Sequence, residues 1–217
     1  MRRLMSMLPL VLFAMSLLHV SAEIIDRIAI IVGNQIITYG QINEDIRLTA
    51  FLNRDKLELS AEQRKKAADR LIEQTLVRRD MDLSRYPLPA MEDAVAALKD
   101  IQARFSTPAQ YQQALPEYGI TEEALQRRLW WQVTLMHFID FRFRPGIQVS
   151  DADIQAYYRQ QLEKWQKQGT NPIPSLDESR ESIEQILTEQ RIDEALDKWL
   201  AETRTQVAVR YHDEVLQ

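Results

Sequence analysis

Residues 28–37 read Ile-Ala-Ile-Ile-Val-Gly-Asn-Gln-Ile-Ile, and this stretch decides how the chain begins to fold. Two short β-branched runs flank Gly33-Asn34-Gln35, and glycine and asparagine tolerate the positive φ angles of a tight turn. The stretch therefore predicts a β-hairpin. Residues 207–211, Val-Ala-Val-Arg-Tyr, alternate in polarity and predict another strand. Because an isolated hairpin is marginally stable in water, we expect the C-terminal strand to pair with the N-terminal hairpin.

Between these two regions the apolar residues recur at helical spacing. A helix after the proline-containing segment 86–89 should carry Met91 and Phe105 at the two ends of its apolar stripe. The other helix starts are marked by a hydroxyl side chain in the N-cap position. These N-cap residues are Thr38, Ser60, Thr107, Thr121, Ser150 and Ser175. The sequence thus predicts a mainly α fold of seven helices, with one small β-sheet formed by the N-terminal hairpin and the C-terminal strand.

Residues 1–22 have the three parts of a secretory signal peptide. Arg2-Arg3 supply the positive charge, residues 8–18 are apolar, and Val20-Ser21-Ala22 provide small residues for cleavage. The apolar run is shorter than the roughly 20 residues that span a bilayer. We therefore expect cleavage before Glu23, export from the cytoplasm and no transmembrane span afterwards.

The remaining chain divides at a segment that contains two prolines. Residues 169–174 read Gly-Thr-Asn-Pro-Ile-Pro, and proline cannot continue a helix because it lacks the N–H donor. We expect residues 23–168 to form a helical domain and residues 169–175 to be a linker. Residues 176–217 should then form a helix and a strand that pack back on the same module.

The composition disfavours several functional classes. The net charge is −5, whereas nucleic-acid binding depends on Lys and Arg side chains that neutralise phosphates. The sequence contains no cysteine, no phosphate-binding loop, no nucleophile elbow and no metal-ligand motif. We therefore predict no catalytic residues, no metal and no cofactor. His137 lies within an apolar helical stretch and is interpreted as a half-buried core residue, whereas His212 should be at the surface.

Residues 130–143 contain more large apolar side chains than one helical stripe can bury. Core packing is one interpretation of the whole set. The alternative is that some members line an exposed apolar groove, because flexible methionine and flat aromatic rings suit a surface that accepts many sequences. The candidate peptide-binding residues are Trp130, Trp131, Met136, Phe138, Phe141 and Phe143.

Four stretches in this order resemble SurA-type periplasmic chaperones and parvulin-like isomerases. They are the hairpin Ile24 to Thr38, the helix segment Arg70 to Gln74, the Val-Ser-Asp helix Val149 to Tyr158, and Ser182 to Leu187 together with residues 207–211. The resemblance implies a SurA N-terminal-like chaperone module. In that family a parvulin domain of about 100 residues lies between the Val-Ser-Asp helix and the C-terminal helix, whereas here only about residues 162–175 lie between these helices. The resemblance thus implies that the isomerase domain is missing.

The resemblance also implies a function. We expect an ATP-independent periplasmic holdase that binds unfolded outer-membrane or secreted polypeptides through an apolar groove. One alternative is a non-catalytic scaffold that docks a single envelope partner, and a less favoured alternative is a peptidyl-prolyl isomerase. A chaperone should bind many unfolded clients, whereas a scaffold should bind one folded partner.

Overall fold

The computed structural model describes residues 26–169 and 171–212, so the predicted signal peptide lies outside the described residues. These residues form a mainly helical protein with a three-stranded sheet, as predicted. In chain order the elements are β1 Ile28–Val32, β2 Gln35–Thr38, α1 Tyr39–Asn53, α2 Ala61–Ser84, α3 Ala94–Gln102, α4 Pro108–Glu117, α5 Glu122–Phe143, α6 Asp151–Gln168, α7 Leu176–Gln206 and β3 Val209–Tyr211.

The sheet has the order β2-β1-β3, and both pairings are antiparallel. Gly33 has φ +62° in the turn between β1 and β2, and its N–H donates to the Ala208 carbonyl at 2.8 Å. The two ends of the chain therefore meet in one sheet, which confirms the predicted pairing of the hairpin with the C-terminal strand.

A β-bulge in β1 sets which side chains face the helices. Ile28 pairs with Thr38 and Ile30 pairs with Ile37, so Ala29 is an extra residue in the ladder. A bulge breaks the strict alternation of a strand. As a result Ala29 and Ile30 are both fully buried against the helices, while Ile28 is exposed on the outer face.

The helices begin where the hydroxyl side chains indicate. The six predicted N-cap residues each accept a hydrogen bond from the backbone N–H three residues later. Gly119 follows α4 with φ +64°, a conformation that glycine adopts without the steric cost of a Cβ. The stripe predicted for the third helix is wrong at both of its ends. Residues 91–93 form a 3₁₀ turn, which leaves Met91 exposed, and α3 stops before Phe105, which stacks on Phe51 at a ring distance of 5.9 Å.

Three apolar clusters form the core. The first joins the sheet to α1, α2 and the end of α7, and the second joins α1, α3, α4 and the first half of α5. The third lies between the end of α2 and the second half of α5, where α7 also packs. The fifth helix thus borders two of the clusters, in agreement with the central place that its apolar character predicted.

A buried ion-pair cluster pins three helices together. The Asp45 carboxylate of α1 accepts hydrogen bonds from Arg70 Nε of α2 at 3.0 Å and from Arg128 Nη1 of α5 at 2.6 Å. The Asp45 side chain is 2% exposed. One carboxylate therefore serves two guanidinium groups, a non-local arrangement that helical periodicity does not reveal.

Helices α6 and α7 form an antiparallel hairpin, joined by residues 169–175. Ile154 of α6 and Ile183 and Ile192 of α7 are buried, and Arg191 Nη2 lies 2.9 Å from the Asp153 carboxylate across the hairpin. Among the helices of the described residues, none is both long and apolar enough to cross a membrane.

Candidate functional site: an apolar surface beside the end of α5

The six candidate peptide-binding residues lie in three different environments. Trp131 and Phe138 are core residues. Trp130 and Phe143 are half-buried. Met136 and Phe141 are 66% and 62% exposed, respectively. The structure therefore does not bring the six side chains together into one groove.

Trp131 and Phe138 contribute to packing in this structure. Trp131 is 6% exposed and shares a cluster with Val77 and Met81 of α2. The guanidinium of Arg78 covers its ring at 4.4 Å from the centroid, a distance typical of a cation–π contact. A side chain enclosed in this way has almost no free surface to offer a partner, so the expectation that Trp131 and Phe138 line an exposed groove does not match their positions.

The two exposed members point in different directions. Met136 and Phe141 are five residues apart, which places them about 140° apart around a helix of 3.6 residues per turn. Phe143, on the same side as Met136, makes an edge contact with Trp199 of α7 at a ring distance of 6.2 Å. Phe141 instead faces the segment between α2 and α3, and this segment supplies the rest of the candidate site.

The segment Tyr86–Pro89 runs along α5 and is fixed at both ends. Trp130 Nε1 donates a hydrogen bond to the Pro89 carbonyl at 3.0 Å. At the other end, the Tyr86 ring contacts Phe138 at 5.1 Å and Phe141 at 5.3 Å. Leu88 lies between these anchors and is exposed. The two prolines restrict the backbone here, so Leu88 is presented on a stiff segment.

Two further exposed apolar side chains come next in the chain. Met91 follows the proline segment, and Val95 lies one helical turn further on in α3; both are exposed. We call this set the Leu88–Phe141 surface; it comprises Tyr86, Leu88, Met91, Val95 and Phe141. Clusters of exposed apolar side chains mark binding surfaces when they are larger than the scattered single residues of ordinary protein surfaces.

Sequence reasoning missed four of the five members of this surface. Tyr86, Leu88 and Met91 lie in or next to a proline-rich connection, and such connections usually run over the surface. Large apolar side chains at such a position cannot belong to the buried stripe of a helix. This combination of apolar residues and prolines was the signal in the sequence that could have identified Leu88 as exposed. No such signal exists for Val95, because a valine in a helix can lie on the buried face or on the exposed face.

Ion pairs hold the end of α5 against its neighbours. Arg142 Nε lies 3.4 Å from the Asp80 carboxylate of α2, and Arg144 Nη2 lies 2.7 Å from Glu189 of α7. Arg144 also donates to Asp140, and this hydrogen bond lowers the pKa of the Asp140 carboxyl. Because these charges are paired, the position of Phe141 is set by α2 and α7 as well as by its own helix.

Both histidines of the described residues, His137 and His212, lie at the surface. His137 is exposed on α5, so its interpretation as a half-buried residue is wrong; its position falls between the buried stripes of the helix. His212 is at the surface, as predicted. Across residues 26–169 and 171–212, no group of three or more His, Cys, Asp or Glu side chains is arranged to hold a metal ion.

No protein-family model matches the chain, and no curated protein sequence matches it. The resemblance to SurA-type chaperones therefore stays a prediction, and the function is argued from the surface itself.

Proposed function

We propose that this protein is an ATP-independent periplasmic chaperone that holds unfolded outer-membrane or secreted polypeptides. The observation that supports the proposal is the exposure of the apolar side chains of the Leu88–Phe141 surface, among which Leu88 lies on a stiffened segment. The proposed clients expose apolar side chains that would otherwise associate with one another. Contact with this surface removes apolar area from water on both partners.

The size of the surface favours weak, reversible capture. Complete burial of a leucine or phenylalanine side chain contributes about 1.5–3 kcal/mol, and Leu88 and Phe141 are already partly covered. Association itself costs several kcal/mol in lost freedom. A client segment that contacts only this surface should therefore dissociate readily, and retention of a client requires several segments or several contacts.

The connection between α6 and α7 supports a binding role over catalysis. Residues 169–175 join the two helices, and a connection of this length cannot contain an isomerase domain of about 100 residues. We therefore propose that the protein has no peptidyl-prolyl isomerase activity of its own.

The test is suppression of aggregation of a chemically unfolded outer-membrane barrel protein by the purified chain. The informative variant is Leu88→Ser/Phe141→Ser, which replaces two exposed apolar side chains with small polar ones. Met136→Ser is the matched control, since Met136 is equally exposed on the other side of α5. Circular dichroism should show the same helical content in all three proteins.

We expect near-stoichiometric suppression by the unaltered chain and by Met136→Ser, and a loss of suppression in the double variant. If Met136→Ser is as impaired as the double variant, the binding surface extends around α5 and the assignment to one side is wrong. If the unaltered chain fails to suppress aggregation at excess, the chaperone proposal fails. The single-partner scaffold then becomes the better explanation, and a crosslinked complex with one envelope protein should be found.

A further inference from the structure

An open groove runs along one side of the α6–α7 hairpin. It shares no residue with the Leu88–Phe141 surface. Its volume is about 440 Å³. Leu187 of α7 and Tyr157 of α6 are half-buried within it. The rest of its lining combines three amide side chains with three charged ones and one alanine: Gln160, Gln161, Gln190, Asp153, Lys164, Arg191 and Ala156. The three glutamines are the neutral polar side chains of this groove that carry both donors and acceptors.

The groove has the length of a short extended peptide. Its α6 wall runs from Asp153 to Lys164. Eleven residues at a rise of 1.5 Å cover about 16 Å of helix axis. An extended chain advances about 3.4 Å per residue, so about five residues of a polypeptide fit along this wall.

The polar groups in the middle of the groove are free to bind a ligand. Within the described part of the chain, no hydrogen bond or ion pair engages Gln160, Gln161 or Gln190. At one end of the groove Asp153 and Arg191 are already paired with each other. The unengaged groups are therefore the three neutral amides, each of which offers both donors and an acceptor, together with the Tyr157 hydroxyl and the Lys164 ammonium group.

A polypeptide main chain carries the complementary groups. Every residue except proline presents one N–H donor and one carbonyl acceptor, whatever its side chain. Amide side chains can bond both, so a wall of glutamines recognises an extended backbone independently of its sequence. A folded protein has these groups paired internally, whereas an unfolded segment presents them to solvent.

We propose that the α6–α7 groove binds the main chain of an extended polypeptide segment of about five residues through Gln160, Gln161 and Gln190. The identification of that segment with an unfolded client rests on the proposed chaperone function. The groove then supplies a second contact for the same client, which is based on backbone hydrogen bonds and complements the apolar contact at the Leu88–Phe141 surface. Two weak contacts on one chain raise the retention of a client through effective concentration.

The test uses the full chain and a probe with almost no side-chain chemistry. The probe is the acetylated and amidated pentapeptide Gly-Ala-Gly-Ala-Gly, and its control is the same peptide methylated on both alanine nitrogens, which removes two donors. The readout is the side-chain NH₂ resonances of glutamine in ¹⁵N-labelled protein. Gln155 and Gln166 are internal controls, because helical spacing places them on the opposite side of α6 from Gln160 and Gln161.

We expect the probe to shift the resonances of the three groove glutamines in a saturable manner and to leave Gln155 and Gln166 unchanged. The methylated peptide should bind roughly tenfold more weakly, the loss expected when two hydrogen bonds of modest net strength are removed. Gln160→Leu/Gln190→Leu should abolish the remaining shift at Gln161, whereas Gln155→Leu should not. Equal shifts by the two peptides, or no shift at millimolar probe, would overturn the proposal.

This experiment and the aggregation assay can fail separately. Saturable shifts at the groove combined with no suppression of aggregation would retain the groove as a peptide site and remove the chaperone function. Suppression that is unaffected by Gln160→Leu/Gln190→Leu, together with absent shifts, would retain the chaperone function and remove the groove.

Discussion

The stability of the fold should depend strongly on the buried carboxylate of Asp45. We consider Asp45→Ala, which removes the one anion between Arg70 and Arg128. Arg128 is 13% exposed in its side chain, whereas Arg70 is 33% exposed. After the substitution Arg70 can turn toward water, but Arg128 stays enclosed by α1 and α5 without its partner.

The magnitude follows from this asymmetry. Removal of one partner from a buried ion pair costs about 3–5 kcal/mol, because the other charge remains buried and unpaired. The Arg128 Nε is buried and has no hydrogen-bond partner. Small shifts of the neighbouring side chains are therefore not expected to supply a new partner for this guanidinium group. We therefore expect Asp45→Ala to lose about 3–5 kcal/mol of unfolding free energy. In a chain of this size, each kcal/mol corresponds to about 2–4 °C in Tm.

The assay is urea unfolding followed by far-UV circular dichroism, with Glu44→Ala as the matched control. Glu44 is the preceding residue of the same helix, is 48% exposed and lies 3.6 Å from Arg127, so its removal should cost less than about 1 kcal/mol. A loss below about 1 kcal/mol in Asp45→Ala would refute the reasoning. A second check is Asp45→Leu/Arg128→Met, which removes the stranded charge and should recover much of the loss.

Three further predictions test individual positions. Trp131→Ala should destabilise the protein by about 3–5 kcal/mol through loss of a buried aromatic side chain, whereas Phe141→Ala should cost well under half as much; urea unfolding of the two variants compares them directly. Gly119→Ala should destabilise the protein by about 1 kcal/mol or more, since φ is +64° and a Cβ would lie 2.9 Å from Arg47 Nη1. Gly119→Asn should have a smaller effect, because asparagine tolerates positive φ better than alanine. Equal Tm values for Gly119→Ala and the unaltered chain would contradict this prediction. The pKa of Asp153 is lowered to about 2 by hydrogen bonds from Ser150 and then by Arg191. A carboxyl whose folded pKa lies below its unfolded value stabilises the fold above about pH 4, and this contribution is lost as the pH falls toward 2. An acid titration of helicity should therefore differ between the unaltered chain and Asp153→Asn at pH 5 and converge near pH 2.

Local sequence signals were sufficient to predict six of the helix starts and the sheet, although not the ends of α3. N-caps such as Thr38 and Ser150 act within three residues, so their effect can be read directly from the sequence. The pairing of β3 with the hairpin is non-local, but it followed from the instability of a two-stranded hairpin alone. In both cases a single physical requirement, a hydrogen-bond acceptor for the helix N-terminus or a third strand for the hairpin, allows few alternative structures.

The candidate site was predicted only in part, because exposure depends on what packs beside a helix. Trp131 and Phe141 are both large apolar residues of α5, and periodicity alone does not distinguish them. The difference arises from α2, which covers Trp131 with Val77 and Arg78, and from Tyr86, which contacts only one side of Phe141. Such coverage is a property of the packed structure and cannot be obtained from the spacing within a single helix.

The same reasoning explains why Asp45 was not recognised. In sequence Asp45 is one of the two acidic residues of α1, and an acid on a helix is usually solvated. Its burial depends on Arg70 and Arg128, which are 25 and 83 residues away. The cluster fixes α1, α2 and α5 relative to one another, and the ends of α2 and α5 in turn carry Tyr86 and Phe141. The geometry of the exposed apolar surface therefore depends on a buried charge. If the proposed chaperone function is correct, a variant that loosens the cluster without unfolding the chain should weaken the binding of unfolded polypeptides, even though it changes no residue at the surface.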